Sequence, residues 1–283
     1  MRCQRASANR SCSGGAKSAA IHCHSHTMSF AGYKAFLIDL DGTLARADLY
    51  VAPRVAEAVR RVARRLLVSI VSSRSHNTAV KFANMLGLEA LQISDGGARI
   101  FDPKTLEASW LRSLEAGDAR SVMTFLESQS LPFSAVDGDT DVRAMSEVKE
   151  WRVTRITATS LTPDQAKSIA ARFGAVEGIH TSKIIRIDNG DWMVDFTHAT
   201  ATKATAVARY ADLNGIDTSQ IIAAGDSFND VPLLQACGLG VAMGNAVPEV
   251  KAIADYVAPS VDEDGLAVAI DEFVLPAVGR SRG

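Results

Sequence analysis

Short, almost wholly apolar runs recur along the chain, and each one ends in glycine, acidic or hydroxyl residues. The runs begin at Ala35, Val68 and Ile221. Runs of this length, bounded by turn residues, are typical of strands that are buried on both faces of a parallel sheet. Apolar residues at helical spacing follow them and predict helices over residues 54–67, 77–86 and 203–214. This alternation predicts a doubly wound, Rossmann-like α/β fold with a parallel sheet.

The pattern changes in the middle of the chain. Two segments, 152–159 and 183–187, alternate apolar and polar residues, and a helical segment, 162–173, lies between them. Such alternation is typical of an antiparallel sheet with one face in water. We therefore expect an inserted α+β cap domain. Its predicted bounds are 103–187. The core is predicted as two segments, 34–102 and 188–275, and a tail follows at 276–283.

Two aspartates one residue apart end the first apolar run. Alternate residues of a strand face the same side, so Asp39 and Asp41 should point the same way at its carboxyl end. Gly42 permits a sharp turn, and Thr43 offers a hydroxyl or an amide to an anion. A calcium loop also uses alternating aspartates, but it closes with a glutamate that residues 43–50 lack. The arrangement favours phosphoryl transfer.

Hydroxyl groups and a lysine supply candidate phosphate ligands. Ser72 and Ser73 directly follow the second apolar run, where hydroxyls and the amino end of the next helix favour an anion. Lys203 begins a predicted helix and offers a point cation. Taken alone, each of these residues more often lies in a solvated turn or at a solvated helix end. Their order along the chain, in company with the acids, favours a common site.

A second set of acids follows the third apolar run. Asp226 and Asp230 lie on the loop or first helical turn after it, with Asn229 beside them. Carboxylates in that position can reach a hard cation. Two strand ends could therefore share one Mg²⁺ ion.

In this order the motifs resemble those of the haloacid dehalogenase-like superfamily and, within it, the Cof-type phosphatases. The motifs are Asp39-Leu-Asp-Gly-Thr43, Ser72, Lys203 and Gly225-Asp-Ser-Phe-Asn-Asp230. The stretches at 240–246 and 263–266 are similar to later segments of the same subfamily, so the resemblance covers about residues 34–275. Ser73 stands where most members of the subfamily have glycine. The related mannosyl-3-phosphoglycerate phosphatases also have serine there, so the motif leaves the substrate open.

The resemblance implies a Mg²⁺-dependent phosphatase that acts on a small phosphorylated metabolite, a sugar or glycerate derivative. Asp39 would attack phosphorus to form an aspartyl-phosphate, while Asp41 protonates the leaving oxygen and later activates water. Mg²⁺ would be held by Asp39, Asp226 and the carbonyl of Asp41, with Asp230 supporting the metal or holding Lys203. The implied phosphate and substrate ligands are Thr43, Ser72, Ser73, Lys203 and Asn229.

Two alternatives remain open at this stage. Phosphomannomutases share this core and cap type, so a phosphotransferase is the alternative enzyme. A catalytically silent binding module with the same fold is the alternative from another class.

Composition narrows the possible partners. Apolar residues make up 47% of the chain and charged residues 22%, which is normal for a globular enzyme with a sizeable core. The formal net charge is −2, and no aromatic residues are interleaved with the arginines of segment 54–67, so we expect a solvated helix face and no nucleic-acid partner. No apolar run approaches the length of a membrane span. The sequence does not predict an oligomeric state.

Residues 1–33 differ from the rest, because they are rich in Ser, Ala, Cys and Arg and contain no acid. We expect a disordered extension, with Met28 as the functional start and a cytoplasmic location. A basic leader without acids is also typical of an organellar transit peptide. Its cysteines and histidines match no zinc spacing.

Overall fold

The computed structural model describes residues 32–185 and 191–276. The extension predicted at 1–33 and the tail predicted at 276–283 lie outside the described residues, except for residues 32, 33 and 276. Within the described ranges, none of the helices combines the length and apolar character needed to span a bilayer.

The first third of the chain alternates strands and helices. Its elements in chain order are β1 (Ala35–Asp39), α1 (Pro53–Ala63), β2 (Leu67–Val71), α2 (His76–Leu86), β3 (Gln92–Ser94), β4 (Arg99–Phe101) and β5 (Ala108–Leu111). Helix α1 ends earlier than predicted because Leu67, the predicted last residue, pairs with Ala35 of β1 and begins the next strand. Long-range pairing here overrides a helical pattern.

The remaining elements form two groups. The first contains α3 (Ala116–Ser128), β6 (Phe133–Asp137), β7 (Thr140–Val142), β8 (Val153–Leu161), α4 (Pro163–Gly174), β9 (Ile179–Ile185) and β10 (Trp192–His198). The second contains α5 (Lys203–Asn214), β11 (Ile221–Gly225), α6 (Val231–Ala236), β12 (Leu239–Ala242), α7 (Pro248–Ile253), β13 (Tyr256–Val257) and α8 (Gly265–Ala269).

Strand β1 lies inside the larger sheet, whose order is β13-β12-β11-β1-β2-β3-β4-β5. The strands from β13 to β3 are parallel, and β4 and β5 add an antiparallel edge. From β1 the chain proceeds to β2 on one side and later reaches β11 on the other, so the strand order reverses at β1. Sheets of this kind form their binding crevice at that switch point, beyond the carboxyl ends of the strands. The predicted doubly wound α/β core is confirmed.

The side chains of β1 are buried on both faces of the sheet. Phe36 and Ile38 belong to a core cluster with α1, α2 and α8, whereas Ala35 and Leu37 belong to a cluster with α5 and α6. Burial of each large apolar side chain contributes roughly 1.5–3 kcal/mol. Both faces therefore hold the end of β1 in a fixed position.

The smaller sheet has five antiparallel strands in the order β7-β6-β8-β10-β9, and we call it, with α3 and α4, the cap. Both predicted cap boundaries need correction. Strand β5 falls inside the predicted cap but pairs with β4 of the larger sheet. Strand β10 falls inside the predicted second core segment but pairs with β8 and β9. The cap elements therefore run from Ala116 to His198, because hydrogen-bond pairing decides which sheet a strand joins.

The antiparallel pairing of the cap was predicted correctly, but the expected water-facing side was wrong. Thr157 is 4% exposed, and Asp195 and Thr197 are each 2% exposed. Helices α3 and α4 pack with the apolar side chains of the sheet. The alternating polar side chains are buried because their face lies toward the core, where Thr154 of β8 donates a hydrogen bond to Asp95 at 3.1 Å.

The buried side chain of Arg99 joins the core to an exposed acid of the cap. Arg99 of β4 donates to Asp139 Oδ1 in the β6–β7 turn at 2.8 Å, and its Nε lies 3.7 Å from Asp95 Oδ2. Asp95 is fully buried and has a φ of 55°. Burial raises the pKa of Asp95 to about 6, although Arg155 and Arg99 act in the opposite direction.

We expect Asp95→Asn to change the pH dependence of stability. A raised pKa means that the folded state favours the protonated carboxyl, so this contribution is present below about pH 4 and is lost as the pH rises through 6. The variant lacks that loss, and asparagine tolerates the positive φ. Between pH 4 and pH 7, the free energy of unfolding of the variant should rise relative to wild type by up to about 3 kcal/mol, measured by urea denaturation.

Asp217→Asn is the matched control. Hydrogen bonds from Ser219 lower the pKa of Asp217, so its effect on stability changes only below this range. A difference between Asp95→Asn and wild type that stays constant from pH 4 to pH 7 would contradict the prediction.

Candidate active site

A buried lysine and two carboxylates meet beyond the carboxyl ends of β1 and β11. The Nζ of Lys203 lies 2.6 Å from Asp39 Oδ1 and 2.5 Å from Asp230 Oδ1. Lys203 is the first residue of α5, and the Thr202 side chain caps that helix by accepting from Thr205. Burial alone would lower the pKa of Lys203, but the carboxylates of Asp230 and Asp39 raise it above its ordinary value. The lysine is therefore a fixed cation.

Asp230 connects this lysine to the loop after β11. Its Oδ2 accepts hydrogen bonds from the backbone amides of Asp226 and Ser227 at 3.1 and 3.0 Å. The close approach requires glycine at position 225, because a Cβ there would lie 2.5 Å from the Asp230 Cβ. Both oxygens of Asp230 are thus engaged, which favours the supporting role over direct metal ligation.

Three carboxylates form a group that fits a hard cation. One oxygen each from Asp39, Asp226 and Asp230 lies within 4.8 Å of the others, and all three residues are buried. Asp226 Oδ1 is buried and has no hydrogen-bond partner within the described residues. Burial and the neighbouring Asp230 carboxylate raise the pKa of Asp39 to about 8. Burial and Asp39 likewise raise the pKa of Asp226. An all-oxygen set with surplus negative charge matches what Mg²⁺ prefers.

The side chain of Asp41 points to a different partner. The Nε of Arg74 lies 3.0 and 2.9 Å from the two oxygens of Asp41, and Arg74 Nη2 lies 2.7 Å from Oδ1. The side chain is 37% exposed, in contrast to buried Asp39. The Asp41 side chain therefore lies outside the group of three carboxylates, and metal binding by its carbonyl stays a prediction.

Two hydroxyls predicted to bind phosphate are buried near these acids. Thr43 Oγ1 is buried and has no hydrogen-bond partner within the described part of the chain. Ser72 Oγ accepts from the backbone amide of Arg74 at 3.0 Å, which leaves its own proton for another acceptor. Gly42 adopts a φ of 78°, as its predicted sharp turn requires. These donors suit an anionic ligand.

The other two predicted ligands, Ser73 and Asn229, contact each other across the site. Asn229 Nδ2 donates to Ser73 Oγ at 3.2 Å, and Ser227 donates to Asn229 Oδ1. Both residues line a cavity of about 370 Å³ between the core and the cap. Lys203 lines the same cavity, so the charged end of the site opens toward the cap.

Asn245 is a residue to which the sequence assigned no role. Its Nδ2 donates to Asp226 Oδ2 at 3.0 Å and to the carbonyl of Gly42 at 2.9 Å. Its Oδ1 accepts from the backbone amide of Val261 at 2.8 Å. Asn245 therefore links the loops after β1 and β11. The available signal was the similarity of segment 240–246 to the subfamily.

Polar residues of the cap were also missed. Asp195 and Thr197 of β10 line the cavity together with His180 and Trp192. Burial raises the pKa of Asp195. Polar residues alternate along this strand, but it was predicted to belong to the core segment 188–275, so the alternation was not used.

Comparisons with known proteins place this geometry in a family context. A family model described as haloacid dehalogenase-like hydrolase matches residues 36–154 and 141–270. A 5-amino-6-(5-phospho-D-ribitylamino)uracil phosphatase of Bacillus subtilis is 26% identical, in a match that covers 85% of this chain and 98% of the relative. A phosphoglycolate phosphatase of Natronomonas pharaonis is 26% identical over 234 residues, which cover 83% of this chain and 95% of the relative.

Solved structures share the fold of both core and cap. A haloacid dehalogenase-like hydrolase from B. subtilis has a TM-score of 0.77 at 23% identity and covers 85% of this chain and 99% of its own. A subclass IIB sugar phosphatase has a TM-score of 0.74 at 21% identity and covers 86% of this chain and 99% of its own. At these identities the match establishes the fold.

We expect Asn245→Ala to weaken Mg²⁺ binding. The substitution removes the hydrogen bond that orients Asp226, and loss of a residue that orients a metal ligand typically lowers metal affinity about 10–100-fold. Isothermal titration of the purified protein with Mg²⁺ measures the change directly. The matched control is Asn214→Ala, since Asn214 bonds the carbonyl of Tyr210 at the end of α5. Equal Mg²⁺ affinities in Asn245→Ala and the control would contradict the role of Asn245.

Proposed function

Because the chain belongs to the haloacid dehalogenase-like hydrolase family, we propose that it hydrolyses the phosphate monoester of a small metabolite, with Mg²⁺ as cofactor and Asp39 as nucleophile. The observation that carries this proposal is the convergence of Asp39, Lys203 and Asp226 at the switch point of the sheet. The family match agrees with the resemblance seen in the motifs.

The charges of the site support the need for a cation. A carboxylate and a phosphate oxygen about 4 Å apart repel by roughly 4 kcal/mol at an effective dielectric constant near 20. Lys203 already pairs with two carboxylates, so it offsets only part of the negative charge. Asp39 and Asp226 would hold Mg²⁺, which when bound neutralises charge on the phosphate and on the attacking carboxylate.

The two aspartates at the end of β1 would share the chemistry. Asp39 attacks phosphorus and forms an aspartyl-phosphate, which divides one displacement into two easier steps. Asp41 gives a proton to the leaving oxygen and then takes one from the attacking water. Arg74 donates to both oxygens of Asp41 and orients this carboxyl group.

Several donors would hold the transferring phosphoryl group. Lys203 supplies a fixed positive charge, and the hydroxyls of Thr43 and Ser72 supply hydrogen bonds. Ser73 and Asn229 lie farther toward the cavity and would contact the junction between phosphate and leaving group. Donors fixed by the fold stabilise charge in the transition state without reorganising.

The cavity would hold the leaving group. Its volume of about 370 Å³ lies at the lower end of small-molecule sites, which suits a metabolite rather than a macromolecule. The relatives named above act, according to their names, on a phosphorylated ribityl compound, on phosphoglycolate and on sugar phosphates. These names support a sugar, a polyol or a short hydroxy acid as the alcohol that is released.

We expect Asp39→Asn to lower kcat for p-nitrophenyl phosphate with Mg²⁺ by at least about 1,000-fold, because the amide cannot attack phosphorus. Activity is measured as released inorganic phosphate, and a chelator should abolish it in wild type. The exposed Asp48→Asn should keep the wild-type kcat. Near-wild-type turnover in Asp39→Asn, with an unchanged circular dichroism spectrum, would refute the assignment.

Product analysis separates the phosphatase from the alternative enzyme. Mass spectrometry after incubation with a sugar phosphate should detect the free sugar, whereas a phosphomutase would leave the phosphate on the sugar. Absence of turnover with every phosphate ester tested would instead favour a silent binding module.

A further inference from the structure

The cap presents a buried carboxylate to the cavity. Asp195 is 2% exposed, and its Oδ1 accepts a hydrogen bond from Thr157 Oγ1 at 2.5 Å. Arg155 Nη1 lies 3.6 Å from the same oxygen. The other oxygen, Oδ2, is buried and has no well-formed hydrogen bond within the described residues. The hydroxyl of Ser73, which lines the same cavity, nevertheless lies close enough to the Asp195 carboxylate to lower its pKa. Asp195 thus has one oxygen held by the cap and one left for a ligand in the cavity that it lines.

An unpartnered buried carboxylate oxygen is energetically costly. Most buried polar atoms in folded proteins have a partner, and leaving one without a partner forfeits the solvation that water would supply. The raised pKa of Asp195 reflects that cost. A ligand that donates a hydrogen bond to Oδ2 would remove it.

The surrounding cavity wall indicates the chemistry of that ligand. Trp192, Phe228 and Pro232 supply apolar and aromatic surface, and Ser182 supplies a hydroxyl. The hydroxyls of Thr181 and Thr197 donate instead to backbone carbonyls. Burial lowers the pKa of His180, so its ring is neutral at pH 7. Lys203 is the one permanently cationic side chain among the described cavity-lining residues, and it belongs to the phosphate end. An aromatic surface beside a carboxylate acceptor suits a ligand with both CH faces and hydroxyl groups.

We propose that Asp195 determines specificity for the leaving group, because Oδ2 accepts hydrogen bonds from hydroxyls of a polyol or sugar phosphate and disfavours leaving groups that carry a carboxylate. This inference rests on the proposed phosphatase function, since it assigns the alcohol side of the same site.

The orientation of the charges gives the reason for the discrimination. Arg155 lies on the Oδ1 side of Asp195 and is not among the cavity-lining residues, so the negative end of the pair faces the ligand. A carboxylate on the leaving group would meet like charge there, whereas a hydroxyl would donate to it. A site built to bond a hydroxyl also rejects analogues that lack it.

The test compares two substrates in the same protein. We expect wild type to prefer D-ribitol 5-phosphate over phosphoglycolate in kcat/KM. Asp195→Asn should lower that ratio at least tenfold, with the change mainly in KM, since the amide no longer repels a carboxylate. A ratio of two substrates is insensitive to loss of folded protein. A wild-type ratio below one, or the same ratio in Asp195→Asn and wild type, would overturn the proposal.

A second measurement separates this inference from the proposed function. Both ligands are titrated with Mg²⁺ into Asp39→Asn and into Asp39→Asn with Asp195→Asn, so that binding is read without turnover. The added substitution should weaken ribitol 5-phosphate and strengthen phosphoglycolate. Asp164→Asn, an exposed position of α4, is the matched control and should keep the wild-type preference. Loss of both ligands to the same extent would show a merely structural role for Asp195, whereas persistent turnover in Asp39→Asn would contradict only the nucleophile.

Discussion

The buried bridge from Lys203 to Asp39 and Asp230 is the interaction on which the rest of the site depends. Isolated charges are costly to bury, and a pair is tolerated only with good geometry and further hydrogen bonds. Here both lysine contacts are short, and the backbone amides after β11 bond the far oxygen of Asp230. The bridge ties the start of α5 to the ends of two neighbouring strands.

The bridge does not balance the charges of the site. Lys203 supplies one positive charge to a group that includes three carboxylates, and Asp226 keeps an unpartnered oxygen. If all three carboxyls ionise, the described residues do not neutralise their negative charge, and the raised pKa values of Asp39 and Asp226 reflect this cost. That imbalance, rather than any single motif, is the physical reason why a divalent cation fits. It also explains why Asn245 matters, since an oriented Asp226 is useful only if its free oxygen points in a constant direction.

Local signals were sufficient to predict the core and the antiparallel sheet of the cap, but not the boundaries of the cap or its buried face. Helix α5 was predicted with its observed bounds, because a capping box at Thr202 and a left-handed Gly215 define its ends within the sequence itself. The family and the doubly wound fold were also predicted and are confirmed. The predicted cap boundaries were wrong because β5 and β10 join their sheets through hydrogen bonds that the pattern of apolar and polar residues does not reveal. The pairing of Arg74 with Asp41 spans 33 positions and depends on side-chain geometry alone.

The sequence pattern also does not show which face of the cap sheet lies against the core. This matters for how substrate specificity can diverge. An alternating strand in a solvated sheet and an alternating strand over an active site have the same sequence pattern. What distinguishes Asp195 is that the core covers its face of β10, so that a residue resembling a surface acid becomes a buried acceptor. Asp195 and Thr197 on that face do not belong to the apolar cluster that packs with α3 and α4. The leaving-group wall can therefore change without disturbing the buried bridge in the core, which separates substrate choice from chemistry.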